Sequence, residues 1–397
     1  MRATGRSRPN YPNGAALIVD AVRTPYGRRG GALSSWHPVD LAAELLTQLV
    51  ARNGIEGDVI DDVILGCTSQ VGAQASNIAR RATLAAGWSE NVPGATVDRQ
   101  AASSAQAVHW AAQAVMSGAQ SLVVAGGVEV MTVVPLGASL AVPAVGKPYG
   151  QRLQARYKES GGLPPPGLVA EEVASRWSLP RLVLDDWALL SRKRARQAQQ
   201  SSLRYMCRVP AQGRVALAKD EALGPRVSGA EIAAFLPAYR EDGVITAANI
   251  AAEGDGASAV LIASPSRVQA MSLTPKACFV SFATAGTSPD VWPTATVPAT
   301  WEALKKAGVG IEQVDRWEIH ESSAAAVLAW MSELGVPPEK VNPAGGALAT
   351  TSPLGAVGAG LFAAAVDGLA GGGERRAVVS IAGDAGIATA CVLESLS

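Results

Sequence analysis

Three histidines and four cysteines hold most of the nucleophilic and proton-transfer chemistry open to this 397-residue chain. His320, followed by Glu321, stands where the apolar stretch WEI turns into the Ala-rich helix SSAAAVLAWM. A histidine at such a bend can polarise a bound group or move its proton; the alternative is a hydrogen-bonded core histidine. His109 falls inside the helical run AVHWAAQAV and reads as core, whereas His37, in the turn SSWHPVD, reads as a surface residue. A second bend lies in VDRQAASSAQAVHWAAQAV, residues 97–115: a strand end, a tight polar turn and a small-residue helix. That frame presents a nucleophile, yet the residue at the bend is Ala101, which can attack nothing. Cys67, Cys207, Cys278 and Cys391 lie far apart with no CxxC, and are expected to be reduced, buried thiols of a cytosolic protein. No HxxxH and no Cys/His cluster occurs, so no metal site is expected.

The chain is 48% hydrophobic and 17% charged, with 34 basic and 34 acidic residues. Zero net charge argues against nucleic acid or an anionic membrane as the main partner. The run SRKRARQ, residues 191–197, is the one candidate for a basic patch on a phosphate-bearing ligand, against the reading of a solvated helix face. No run of about 18 apolar residues is present, so no membrane span is expected. The basic opening MRATGRSRPNYPNG is broken by Pro and Gly, has no apolar signal core after it, and reads as a flexible lead-in to a cytoplasmic protein.

Apolar runs without alternation, such as SLVVAGG at 121–127, suit strands buried on both faces. They alternate with helical patterns at 41–53, 76–86 and beyond, which predicts an α/β fold. Residues 132–243 break the rhythm with PLG, KPYG, GGLPPPG and two charged helices, and read as an insertion. The expected division is therefore a first core domain of residues 1–131 and 244–275, an inserted loop domain at 132–243, and a second core domain at 276–397. Both halves repeat one theme, in which an apolar strand passes through a polar bend into an Ala-rich helix, followed later by VVAGG or VVSIAGDAG; this suggests an internal duplication.

Taken in order, IVDAVRTPYGRRGGALS, ASNIARRATLAAG, VDRQAASSAQAV, AGGVEVM, GLVAEEVASRW, VITAANIAAEGDGASA, WEIHESSAA, NPAGGALATTSPLGAVG and SIAGDAG resemble the successive blocks of the thiolase superfamily, from Ala15 to the C-terminus. The resemblance implies a duplicated βαβαβαββ fold, with two core domains in five layers (α-β-α-β-α) and an inserted loop domain. It also implies an acyl thioester of coenzyme A or a carrier protein as substrate, no added cofactor, and assembly as a homodimer or homotetramer, with a partner enzyme as a further option.

Members of that superfamily use a cysteine thiolate to take the acyl group, a GHP histidine to activate it, a second cysteine in CxGxG to move protons, and N–H groups with an Asn or His to hold the oxyanion. Matched residue by residue, the nucleophile position is Ala101, the GHP histidine is Ser352 with Thr351 for its glycine, and the second cysteine is Ser380. Ala382 and Asp384 stand at glycine positions, and the pantetheine-contacting serine falls at Ala251. His320 and Glu321 match the NEAF or HEAF motif. The resemblance thus offers His320 as the group that polarises the carbonyl, the N–H groups of Ala101 and Ala382 as oxyanion donors, and Asn249, Ala251, Glu321 and Pro353 as substrate contacts. Asp384 is either a proton-accepting carboxylate or a loop cap. Ser352 or Ser380 could replace the nucleophile only beside a base, for which His320 is the candidate. Three functions remain open: an acyl-thioester enzyme without a cysteine nucleophile, a non-catalytic binding or partner subunit, and an ordinary thiolase inactivated by Cys-to-Ala at Ala101.

Overall fold

Long Val/Leu/Ile/Ala runs form strands that must be covered on both sides, and this sets the layering of the molecule. The structure, a computed structural model, describes residues 11, 14–141, 146–201, 203–211, 216–224 and 227–396; the expected lead-in lies almost wholly outside them. Its strands are β1 (Leu17–Arg23), β2 (Gly27–Arg28), β3 (Asp62–Gly66), β4 (Gly94–Val97), β5 (Leu122–Val130), β6 (Gly254–Ala263), β7 (Ala277–Gly286), β8 (Arg316–Ile319), β9 (Arg376–Gly383) and β10 (Ile387–Ser395). The helices of the first half are α1 (Pro38–Arg52), α2 (Ile78–Ala85) and α3 (Ser103–Met116). The middle carries α4 (Gln151–Arg156), α5 (Pro166–Arg176), α6 (Arg181–Gln200) and α7 (Gly229–Ala233). After it come α8 (Pro265–Ala270), α9 (Thr296–Ala307), α10 (Ala324–Leu334), α11 (Ala347–Thr350) and α12 (Leu354–Ala370).

The strands run in the order β4-β3-β5-β6-β1-β7-β10-β9-β8, with β2 beside β6. The seam between halves is short and antiparallel: Leu17 and Ile18 face Cys278 and Ala277. Outward from it, β1, β6, β5, β3 and β4 correspond to β7, β10, β9, β8 and a parallel bridge between Trp317 and Val341. The same order on both sides is the duplication that the repeated theme suggested.

Alternate residues of each strand face different cores. Ile64, Val123, Val260, Phe279, Val379 and Leu393 turn inward onto α3 and α12, so this middle core draws on both halves. Their neighbours Val63, Val124 and Leu261 face α1 and α2. In the second half Val378, Ala388 and Val392 face α5, α6, α9 and α10. Helices, sheet, helices, sheet and helices make the expected five layers.

The two middle helices are covered over most of their surface, with Trp110 and Gln113 of α3 the exposed exceptions, which explains the Ala, Gly and Ser content of their covered faces. A Cβ on Gly127 would lie 1.9 Å from Gly355 O, one on Gly66 2.3 Å from Ser104 N, and one on Gly358 2.7 Å from Ala105 N. Ser104 Oγ accepts the Ala359 N–H at 3.0 Å, so even the hydroxyl there ties α3 to α12. Among the described residues no helix is long and apolar enough to cross a membrane.

Gly127→Ala is expected to cost about 3 kcal/mol or more in urea unfolding, since the atom it meets is backbone and cannot turn aside. Gly229→Ala, whose Cβ would meet nothing nearer than Leu189 Cδ1 at 3.7 Å, should change stability by no more than about 0.5 kcal/mol. Equal effects of the two substitutions would refute the close-packing account.

Candidate active site

Four chain segments meet around His320. It follows β8, is 5% exposed, and its N–H donates to Ser380 O at 3.1 Å. Its Nε2 lies 2.9 Å from Ser352 Oγ, which joins the bend before α10 to the bend before α12. Ser352, 4% exposed, is fixed in turn by its N–H donating to Ala252 O at 2.9 Å. The end of β9 packs on the bend before α3: a Cβ on Gly383 would lie 2.7 Å from Arg99 O and 3.1 Å from Gln100 Cβ.

Both bends that enter the middle helices carry backbone in the left-handed region. Gln100 has φ +53°, immediately before Ala101. Thr351 has φ +80° and ψ 170°, immediately before Ser352, a conformation that glycine adopts easily and a β-branched residue does not. Its Oγ1 donates to Gly27 O at 3.3 Å, so the surrounding loops hold it there. At the first bend Asp98 Oδ1 accepts the Gln100 N–H at 2.7 Å and Ser103 Oγ accepts the Arg99 N–H at 2.8 Å. Among the described residues none accepts a hydrogen bond from the Ala101 N–H, and Ala101 is 4% exposed.

The remaining candidates divide by what their side chains touch. Glu321 is fully enclosed; its carboxylate accepts from Trp187 Nε1, Ser191 Oγ, Asn342 Nδ2 and the Leu348 N–H at 2.7–3.1 Å. Asn249, also enclosed, donates to Asp185 Oδ1 and Val244 O and accepts from the Thr246 N–H, while its carbonyl takes the Ala324 N–H at the start of α10. Both therefore hold the loops that carry His320. Ala251 is half-buried and donates its N–H to Ser322 O at 3.0 Å; Pro353 caps α12, accepting from Ala356 and Val357. Ser380 Oγ sits inside the sheet and donates to Thr389 O at 3.4 Å, and Ala382 is buried two residues on in β9. Asp384 is half-buried, and among the described residues no N–H donates to it, so it does not cap the loop.

Burial sets the protonation states. His320 is pushed down to about 4, so its ring is neutral near pH 7. Burial, and then the neighbouring Asp98, raises Asp384. Glu321 is raised by burial against the four donors that oppose it. All four thiols are pushed up by burial, Cys207 and Cys278 to about 11, and Cys67 further because Glu129 lies beside it. No cysteine of this chain is thus poised as a thiolate.

Sequence reasoning placed His109 and His37 well. His109 is buried edge-on to Phe282 and Phe362, with ring centroids 5.1 and 6.1 Å away; exposed His37 also caps α1, its Nδ1 accepting the Val39 N–H at 3.3 Å. It passed over Glu129, which accepts from Thr68 N, Ser69 N, Gln74 Nε2 and Gly355 N at 2.5–3.2 Å and so ties three segments to the start of α12. One acid inside the apolar strand LVVAGGVEV was the available signal. The basic run splits: Arg194 turns inward to Val341 O and Pro338 O, while Arg192, Lys193 and Arg196 line a cleft of about 670 Å³ with Val227, Ser228 and Gly229. Among the described residues no group of three or more His, Cys, Asp or Glu could hold a metal ion.

A duplicated five-layer α/β fold, with its bends gathered at the starts of buried helices, defines a thiolase-fold protein. The chain belongs to the thiolase family: residues 16–266 match its N-terminal domain and residues 273–395 its C-terminal domain. It is similar to the steroid 3-ketoacyl-CoA thiolase FadA6 of Mycobacterium tuberculosis, 38% identical over 96% of this chain and 94% of that protein. It is also 38% identical to the 3-oxoadipyl-CoA/3-oxo-5,6-dehydrosuberyl-CoA thiolase of Escherichia coli, over 96% of this chain and 99% of that one. The crystal structure of the acetyl-CoA acetyltransferase of Bacillus anthracis superposes with a TM-score of 0.85 at 31% identity, covering 96% of this chain and 99% of that one.

His109 gives a pH test of this interior. Burial, with Arg99 adding to it, lowers its pKa to about 3, so the unfolded chain takes up this proton first as pH falls. The stability held above about pH 6.5 is then lost toward pH 3, by about 1.4 kcal/mol per pH unit once well below 6.5. His109→Leu is expected to show a shallower loss by that amount in urea unfolding between pH 6.5 and 4.5. The same slope in both proteins would mean that His109 does not titrate in this way.

Proposed function

We propose that this chain acts on an acyl thioester, of coenzyme A or of a carrier protein, by a route without a cysteine nucleophile, with His320 polarising the thioester carbonyl. The observation that carries the reading is the neutral, enclosed His320 ring at the meeting point of the bends before α10 and α12. The relatives' names support the substrate class, since each is called a thiolase of an acyl-CoA. Arg192, Lys193 and Arg196 favour a ligand with a phosphate-bearing end, in keeping with the basic patch expected at 191–197. Transition-state charge at the carbonyl oxygen would be met by the Ala101 N–H and, in the family's pattern, by that of Ala382. Asp384, raised by burial and uncapped, is the available proton acceptor.

The matched segments 16–266 and 273–395 and the seam between β1 and β7 support the division into core domains 1–131 with 244–275 and 276–397, with 132–243 inserted. A second copy of the chain is the proposed partner. β4 lies at the end of the sheet and pairs with β3 alone among the described strands, which leaves one edge open for it. The raised thiols also favour a second reading, a non-catalytic subunit that binds a thioester or an active partner.

Thiol release from acetoacetyl-CoA separates these readings. His320→Ala is expected to lower it about 10²-fold or more at unchanged fold. Undiminished turnover would overturn the assignment, and no turnover in either protein, with a stable hetero-oligomer, would favour the binding subunit. Ala101→Cys is expected to restore no thiolysis, because Ser352 offers a hydroxyl where a thiolate needs a base.

A further inference from the structure

We propose that Ser352 is a nucleophile: its hydroxyl takes the acyl group of the thioester as an ester, with His320 as its base, and the chain is a thioester hydrolase. The inference rests on the thioester reading above and names the atom that carries the acyl group.

Four observations converge on Ser352. Its Oγ and His320 Nε2 are 2.9 Å apart, although the residues are 32 positions apart in the chain. A serine and a histidine at that distance form the working part of a hydrolytic constellation when the histidine can accept a proton. His320 can do so in the tautomer that carries its proton on Nδ1, because its ring is neutral at physiological pH. The backbone also resembles a nucleophile mount: Thr351 is held at φ +80°, and the Ser352 N–H is fixed to Ala252 O. Strain of that kind, kept at a position where glycine would relieve it, marks a site whose geometry matters. Finally, Ser352 stands two residues before the 17-residue α12, whose N-terminal partial positive charge favours a developing oxyanion. No cysteine competes, since all four thiols are pushed up by burial.

The chemistry closes without an added reagent. As Ser352 Oγ bonds to the carbonyl carbon, its proton passes to His320 Nε2. The imidazolium so formed is the polarising charge beside the tetrahedral oxygen. Collapse breaks the C–S bond, sulfur leaves with the electron pair, and His320 returns the proton to it as a free thiol. Water then attacks the ester carbon, His320 takes its proton, and Ser352 Oγ regains one as the carboxylic acid departs. The sum is thioester plus water giving acid plus thiol.

The test uses the full-length protein with acetyl-CoA, read by thiol release and by intact mass with peptide mapping after acid quench. Wild type is expected to release thiol with no second acyl acceptor and to carry one acetyl group on the peptide containing Ser352. Ser352→Ala should lose the adduct and slow thiol release about 10²-fold or more while still folding, as read by circular dichroism. Ser352→Cys should keep an adduct at the same position. An adduct mapped elsewhere, or wild-type release in folded S352A, overturns the nucleophile; if H320A is still inactive, the thioester reading survives that result. Wild type that releases no thiol from acetyl-CoA or acetoacetyl-CoA overturns both.

Discussion

The structure depends on backbone lying against backbone in its middle layer. Helices α3 and α12 pass between the two sheet halves with no room for a side chain at Gly66, Gly127 or Gly358. Packing at that distance fixes the rotation and height of each helix, because a shift of a few tenths of an ångström meets peptide atoms rather than pliable side chains. The chain enters these helices through the bends at Gln100 and Thr351, so the contact that builds the core also sets the positions of Ala101 and Ser352. Site and core are one arrangement.

Buried carboxylates secure the loops that the middle layer cannot reach. Glu129 ties the segment after β3 and the end of β5 to the start of α12; Glu321 ties α6 and the 342–348 loop to the bend that carries His320. Asp220 does the same between the inserted region and β1, through a two-pronged pair with Arg23 at 2.6 and 2.8 Å. Each would be costly alone in the interior, and each is satisfied by several donors. Among the described residues none forms an ion pair with His320, and its neutrality follows from burial. A ring in that state can accept a proton and then stabilise charge.

Much of the fold was legible in the chain. The apolar run at β5, the helical spacing of α1 and the repeated strand-bend-helix theme led to an α/β duplication, and each of these elements is present within a few residues of its expected bounds. The Gly- and Ser-bearing first half of β6 hid that strand, and of the four-residue β4 only its end at Val97 was legible. At the site, His320, Ser352, Ser380 and Asp384 were visible as residue types at matched positions. Their mutual geometry was not: of the four, only His320 and Ser352 touch by side chain, and Ser380 reaches His320 through its carbonyl.

By itself the sequence determined composition, period and order: which segments could be strands covered on both faces, which helices could tolerate close contact, and which reactive residue types were present or missing. Those properties are local, because hydrophobic period and residue size act within one element. Tertiary structure alone decided what stands next to what. It placed Ser352 against His320, held Thr351 in a glycine's conformation, and bound the Glu321 and Asn249 side chains to the surrounding loops. It also set the protonation of His109, His320 and the cysteines through burial, because desolvation depends on every layer packed around a group.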